Sequence, residues 1–377
     1  MNNKIVFPEG KSINDFNTTQ QTVLACLKTQ LYGMAPIVPF VKGPPATGKT
    51  DMIKQIAMMF DWDYDEIILS RYSAVELQGL FVPNHGTKML EHYPLKRITG
   101  GDSKKPKLLL FDEITNAEQD VHAAVQSAFQ SRVIEGCKIG DNIMFVAAGN
   151  GSEDGCNSID LSRAMLEGRL LTINHYPDSK EWINNFAIPN EINPYIVSYI
   201  EWQKESLYKF DASSMDDAQP TCRGWDKLNA GHKILMMEEP STSYMRLIKN
   251  NKVADNMGSG SVGMAEYEKY KAFVSLADKL PSFASITSAP DGAKLPDGMG
   301  EQFGVIANIT SELRYLYREG KTVEDYEVVN ICKYLQRMPS EFIGMAVHAI
   351  AKVSDQVRDS ASFTELITEY TGTSNKY

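Results

Sequence analysis

Eight residues, Gly43-Pro44-Pro45-Ala46-Thr47-Gly48-Lys49-Thr50, constrain this chain more than any other stretch. They spell G-x(4)-G-K-T. Ile37 to Val41 precede them as a strand-like apolar run, and Met52, Ile53, Ile56, Ala57 and Phe60 follow at helical spacing. Strand, glycine loop, helix is the context in which this motif cradles a nucleoside triphosphate. Gly43 and Gly48 let the backbone curl so that successive N–H groups, from Ala46 and Thr47 onward, face phosphate oxygens. The helix start adds the positive end of its dipole. Lys49 is expected to reach the terminal phosphates, and Thr50 to offer its hydroxyl to Mg2+. A plain Gly/Pro turn would need neither the Lys-Thr pair nor both flanks.

A second run, Lys107-Leu108-Leu109-Leu110-Phe111, ends abruptly in Asp112-Glu113. Such a run suits a strand buried on both faces of a parallel sheet, whose carboxyl end is where ligands bind. Asp112 would then hold the Mg2+ shell, and Glu113 would orient or deprotonate the attacking water. A third run, Ile143 to Ala148, ends in Gly149-Asn150. Asn150 could hold a phosphate or the nucleophilic water without adding negative charge; a turn asparagine is the plainer alternative.

At 377 residues the chain exceeds one ordinary domain. Its 38 Lys+Arg against 48 Asp+Glu give a formal charge of -10, which disfavours broad, non-specific nucleic-acid binding. The five cysteines, at 26, 137, 156, 222 and 332, lack C-x-x-C spacing, so neither a disulfide framework nor a zinc site is expected. No apolar stretch reaches spanning length, and Met1-Asn2-Asn3-Lys4 opens without a signal-peptide core. A soluble, cytoplasmic protein is the expectation.

Ser12-Ile13-Asn14-Asp15 reads as the cap of a helix running to about Leu31, broken by Gly33. From there to Tyr176, strand-like segments (37–41, 67–70, 108–111, 143–148) alternate with helix-like ones (51–60, 119–130). That alternation predicts a parallel sheet with helices on both faces. Beyond Pro177 the pattern is largely helical, with loops expected around 211–222, 238–243, 256–263 and 281–300. Gly258-Ser259-Gly260-Ser261-Val262-Gly263 fits G-x-G-x-x-G but follows a polar segment, so it reads as a flexible entry to a helix from Ala265 to about Leu280. Phe303, Ile306, Ala307, Leu313, Leu316 and Tyr317 form a helical stripe best explained by core packing.

Together these motifs resemble an AAA+ ATPase, most similar to the MoxR-like group, over nearly the whole chain. The resemblance implies a three-layer αβα sandwich over 1–176, with an N-terminal helix and a hairpin insertion at 80–94 turning at Asn84-His85-Gly86. It implies a helical lid and C-terminal helical region over 177–377. Ser70 would be the polar strand end, where Thr or Asn is more usual in the group. Ala147-Ala148-Gly149-Asn150 resembles sensor 1. Leu161 to Arg169 resembles the segment carrying the arginine finger, with Arg169 preferred and Arg163 the competitor. Arg223, in Pro220-Thr221-Cys222-Arg223-Gly224-Trp225, resembles sensor 2; a cation–π pair on Trp225 is the alternative.

By resemblance, Arg169 acts on a neighbouring subunit, and such head-to-tail contacts close into rings. The resemblance thus implies a homo-hexamer using ATP and Mg2+ to remodel or mature a protein partner, with a von Willebrand factor type A protein as the partner class. Phe81, Val82 and Met89 would grip the client, unless the hairpin is a surface decoration with its apolar residues packed inward. The alternative is a nucleic-acid motor or loader, for which Lys88, Lys96, Arg97, Lys104, Lys105 and Lys107 gather near the insertion. A metabolite kinase ranks last.

Overall fold

The computed structural model describes residues 7–99, 105–151, 159, 161–168, 170–239 and 242–371. Lys104, Cys156 and Arg169 lie outside them, as do Met1 to Lys4. The chain divides into two compact units, 1–176 with 211–213, and 177–210 with 214–377.

In the first unit the described strands are β1 (Val38–Lys42), β2 (Asp63–Ile68), β3 (Leu80–Asn84), β4 (Met89–Tyr93), β5 (Lys107–Asp112), β6 (Val133–Ile134), β7 (Cys137–Lys138), β8 (Ile143–Gly149) and β9 (Leu170–Asn174). Five of them form one parallel sheet in the order β2-β5-β8-β1-β9. β5 and β8 are covered on both faces, which is why their sequences are unbroken apolar runs rather than alternating ones. Side chains alternate between two cores. Phe40, Leu109, Phe111 and Phe145 pack on Val121, Val125 and Phe129 of the helix Gln119–Ser131. Val41, Leu108, Leu110, Met144 and Val146 pack on the helices Thr18–Leu31 and Lys49–Met59. Each fully buried Leu or Phe contributes on the order of 2 kcal/mol, so the sheet's register is firmly specified. The result is the AAA+ three-layer sandwich, with every strand's carboxyl end at one edge.

The polar edge strand β2 ends at Ile68, and Leu69–Arg71 form a 3-10 turn, so Ser70 sits in a turn rather than at a strand tip. The first helix begins at Thr18, capped by Asn17 and Gln20 in a reciprocal capping box, and not at Ser12. Ile13–Asp15 make only a 3-10 turn, with Ser12 Oγ accepting from Asn14 N–H at 3.2 Å, while Asn17 caps the helix by accepting from Gln20 N–H at 2.8 Å. β3 and β4 pair antiparallel with the turn where the Asn-His-Gly sequence puts it.

The second unit is helical in its described residues, around a core led by Trp225, Tyr199, Tyr270 and Phe273. Two loop expectations fail here. Residues 256–262 belong to the helix Lys252–Val262, which stops at Gly263 (φ 82°), and the next helix is Met264–Ala277. The glycine content that suggests a loop has a packing cause. A Cβ on Gly258 would lie 2.2 Å from the Tyr267 ring, so the glycine lets two helices approach closely. The 281–300 segment contains the helix Phe283–Ser288, capped by Ser282. Most of the apolar stripe on Met299–Arg318 is core, but Tyr317, in the final turn, is exposed.

Candidate functional site

Sequence and fold converge at the carboxyl edge of the sheet. The loop between β1 and the helix Lys49–Met59 is bent by residues in left-handed conformation, Ala46 at φ 58° and Gly48 at φ 84°. Such alternation turns successive amides toward one concavity. Gly43 lies so close to β9's end that a Cβ would come within 2.0 Å of the His175 carbonyl oxygen. The Lys49 ammonium is buried and donates to Gly43 O (2.8 Å), Pro44 O (2.7 Å) and Asn150 Oδ1 (3.1 Å). Lys49 and Asn150 are therefore brought together from β1's loop and β8's tip.

Thr50 Oγ1 donates to Asp112 Oδ2 at 2.7 Å. A hydroxyl and a carboxylate side by side at the rim of an amide-lined loop are the hard oxygen donors that Mg2+ takes, usually keeping its waters. Nearby carboxylates add to the negative flank: burial raises the Glu66 pKa, and the charges of Asp112 and Asp51 raise it further. The donor set and the glycine-bent loop thus fit a magnesium-bound triphosphate. Glu113 is itself left-handed at φ 54°, and its backbone N–H donates to Asp112 Oδ1 at 2.7 Å. Its carboxylate accepts a hydrogen bond from the Ser70 hydroxyl.

Two supporting residues escape sequence reasoning, and a third is named from the sequence. Thr115 Oγ1 accepts from Asn150 N–H at 3.1 Å and packs so tightly under Gly149 that a Cβ there would meet it at 2.8 Å. His175 donates a weak bond, 3.4 Å, to Thr47 O. Burial pushes its pKa down, with the Lys49 charge adding to the effect, so it remains a neutral donor beneath the phosphate loop. The third is Ser70, expected from the sequence as a polar strand end, whose hydroxyl links the turn after β2 to Glu113 after β5.

The other named arginines among the described residues, Arg163 and Arg223, are both exposed on helices. Arg163 is exposed at the start of the helix Arg163–Gly168. Arg223 is exposed in the first turn of Cys222–Glu238, where Thr221 caps Gly224 N–H at 3.0 Å. Its alternative reading fails: Trp225 is fully buried, bonded through Nε1 to Ser206 O, and ringed by Tyr199 and Tyr270, and Arg223 is in none of the described cation–π pairs.

The insertion also departs from one expectation. Phe81 is 54% exposed, Val82 43% and Met89 68%, so the hairpin does not pack its apolar residues inward. Three cations of the basic cluster beside it, Arg97, Lys105 and Lys107, are paired with carboxylates. Arg97 and Lys107 both clasp Asp65, and Lys105 pairs with Asp61 and Asp63. Burial opposes the Asp65 charge, yet Arg97 and Lys107 hold its carboxyl down to about 2. No helix among the described residues is long and apolar enough to cross a membrane.

Residues 39–161 match the family model of the AAA domain, dynein-related subfamily. No curated protein matches the chain. Among solved structures, a protein described as a candidate ATPase from Cytophaga hutchinsonii is 14% identical, with 69% of this chain and 82% of that one covered at a TM-score of 0.34. The Thermotoga maritima RuvB Holliday junction branch migration motor is 12% identical, covering 80% and 87% at a TM-score of 0.38. Those distances leave function to this chain's own geometry. Residues 39–161 carry an AAA domain, and with it the nucleotide-binding ATPase character of that class.

Proposed function

We propose that this chain is a ring-forming ATPase of MoxR-like type that uses hydrolysis to remodel or mature a protein partner. The observation that carries the reading is the meeting of Lys49, Thr50, Asp112, Glu113 and Asn150 at one edge of the sheet. In this reading the loop from Gly43 to Thr50 holds the phosphates, and Lys49 exchanges its bonds to Gly43 O and Pro44 O for bonds to phosphate oxygens. Thr50 and Asp112 would hold Mg2+, which would supply charge neutralisation to the bound phosphates. Glu113, once released from Ser70, orients and deprotonates the attacking water, and Asn150 fixes that water's position.

Arg169 supplies positive charge to the site of a neighbouring copy, as AAA+ ATPases commonly do in rings, with Arg163 as the competing residue. Arg223 reaches the phosphates as sensor 2 from a lid formed by 177–377. A protein client is favoured over nucleic acid by two features: the exposed Phe81, Val82 and Met89, and the pairing of the nearby cations with Asp61, Asp63 and Asp65. A von Willebrand factor type A protein is the partner class that the resemblance suggests.

Mixed assemblies test the reading. Glu113→Gln and Arg169→Ala chains are each expected to be inactive, and their mixture to recover ATP turnover, because some interfaces join an intact Glu113 to an intact Arg169. A mixture that is verified to co-assemble yet stays inactive would contradict action across subunits. Affinity capture with Glu113→Gln should retain protein; retention of DNA or RNA instead would favour the nucleic-acid motor.

A further inference from the structure

A second reactive centre lies in the α/β unit, away from the phosphate loop. His92, on β4, has its Nε2 2.7 Å from Gln78 O and its Nδ1 3.2 Å from Cys137 Sγ, on β7. A backbone carbonyl oxygen can only accept, so Nε2 carries the proton and the lone pair of Nδ1 faces the sulfur. The Cys137 thiol therefore donates to a base whose orientation is fixed by a third group, the nucleophile–base–orienter arrangement of covalent catalysis. Gly79, at φ 101°, makes the contact possible: a side chain there would lie 2.3 Å from Tyr93 O and 3.1 Å from His92 Nε2.

The other described cysteines contrast sharply. Cys26, Cys222 and Cys332 are buried, and burial pushes their thiols up to about 11, 12 and 12. Cys137 is half-buried and so within reach of a small reagent.

We infer that Cys137 is a modification site, a His92-activated thiol that exchanges with small disulfides and thereby loosens the exposed hairpin β3–β4. In the exchange, the proton on Cys137 passes to His92 Nδ1 and the thiolate attacks one sulfur of the disulfide. A new S–S bond forms to Cys137, the reagent's own S–S bond breaks, and the leaving thiolate takes the proton from His92. The incoming disulfide is the only oxidant required. The adduct removes the S–H···N link between β4 and β7. His92 also lies 4.8 Å from the Phe81 ring, so its displacement reaches the apolar surface of the hairpin directly.

The test uses the full chain, oxidised glutathione as probe, and peptide mass mapping over time. Cys137 should form the mixed disulfide ahead of Cys26, Cys222 and Cys332, and His92→Gln should slow it by about 100-fold, the low end of general-base assistance. A histidine that merely packed would, on removal, expose Cys137 and leave its modification as fast or faster; that result would overturn the inference, as would a Cys137 no quicker than the buried three. Hydrogen exchange supplies the second readout. Amides of 80–93 should exchange faster in the glutathione adduct than in untreated protein, while Cys137→Ser treated identically should show no reagent-dependent change. Unchanged exchange in the adduct would overturn the coupling to the hairpin.

Discussion

The two units use polar groups in opposite ways. In the helical unit, buried polar side chains fasten the fold. Glu266 accepts from Tyr199 (2.6 Å) and Lys209 (3.0 Å), His232 bonds Tyr244, which bonds Tyr270, and Asn308 ties Tyr195 to the carbonyl of Ala277. In the α/β unit the sheet interior is apolar, and the site's polar groups gather at the carboxyl edge, Glu113 among them in left-handed conformation. Contacts such as Lys49 with loop carbonyls, or Ser70 with Glu113, are ones a ligand can replace. Polar groups locked into networks give stability, and those with exchangeable partners give chemistry.

Substitutions can break this contrast. The largest effect is expected for Glu113→Gln, which should lower ATP turnover by about 10²- to 10⁴-fold, the range for a lost general base, while leaving stability nearly unchanged. Phosphate release and thermal melting measure both. Next, Lys49→Ala should weaken ATP binding by about 100-fold, the loss of charge-assisted bonds to phosphate, read by titration calorimetry.

On the other side, Glu266→Ala should cost about 2 to 4 kcal/mol in denaturant unfolding by orphaning Tyr199 and Lys209, with ATP affinity retained. Lost ATP affinity in a folded Glu266→Ala protein would blur the distinction between the units. His232 gives a pH signature of similar size. Burial lowers its pKa to about 4 in the folded state, against 6.5 for an unperturbed imidazole. Its contribution is fully present above about pH 6.5, and falls as pH drops toward 4 because the unfolded chain takes up the proton first, by about 3 kcal/mol in all. Unfolding midpoints measured across that window should slope less in His232→Gln. The smallest effect is expected for Ser70→Ala. Freeing Glu113 from one charge-assisted bond should raise basal turnover by no more than about tenfold, and a fall of that size would mean that Ser70 assists the reaction instead.

What could be read from the sequence follows the same division. β5 and β8 are legible because burial on both faces forces unbroken apolar runs, and the phosphate loop because its backbone demands glycine at fixed positions. Asp112, Glu113 and Asn150 then follow as the residues at strand ends. Thr115 and His175 are not legible, since their roles come from which strand ends lie side by side. The same holds for the cations near the insertion, which read as a basic cluster until β2 brings Asp65 against Arg97 and Lys107. The helix Lys252–Val262 is hidden for another reason. Its Gly258 answers to Tyr267, a residue on the next helix, and local propensity mistakes that close packing for flexibility.

The central claim is that one sheet edge both holds and cleaves the triphosphate, with separable residues for each task. Titrating Mg-ATP into wild type, Glu113→Gln and Lys49→Ala, and following phosphate release in the same samples, tests it most directly. The account predicts that Glu113→Gln binds with wild-type affinity and releases almost no phosphate, while Lys49→Ala binds about 100-fold more weakly. Hydrolysis at the wild-type rate by Glu113→Gln, or unchanged binding by Lys49→Ala, would contradict it.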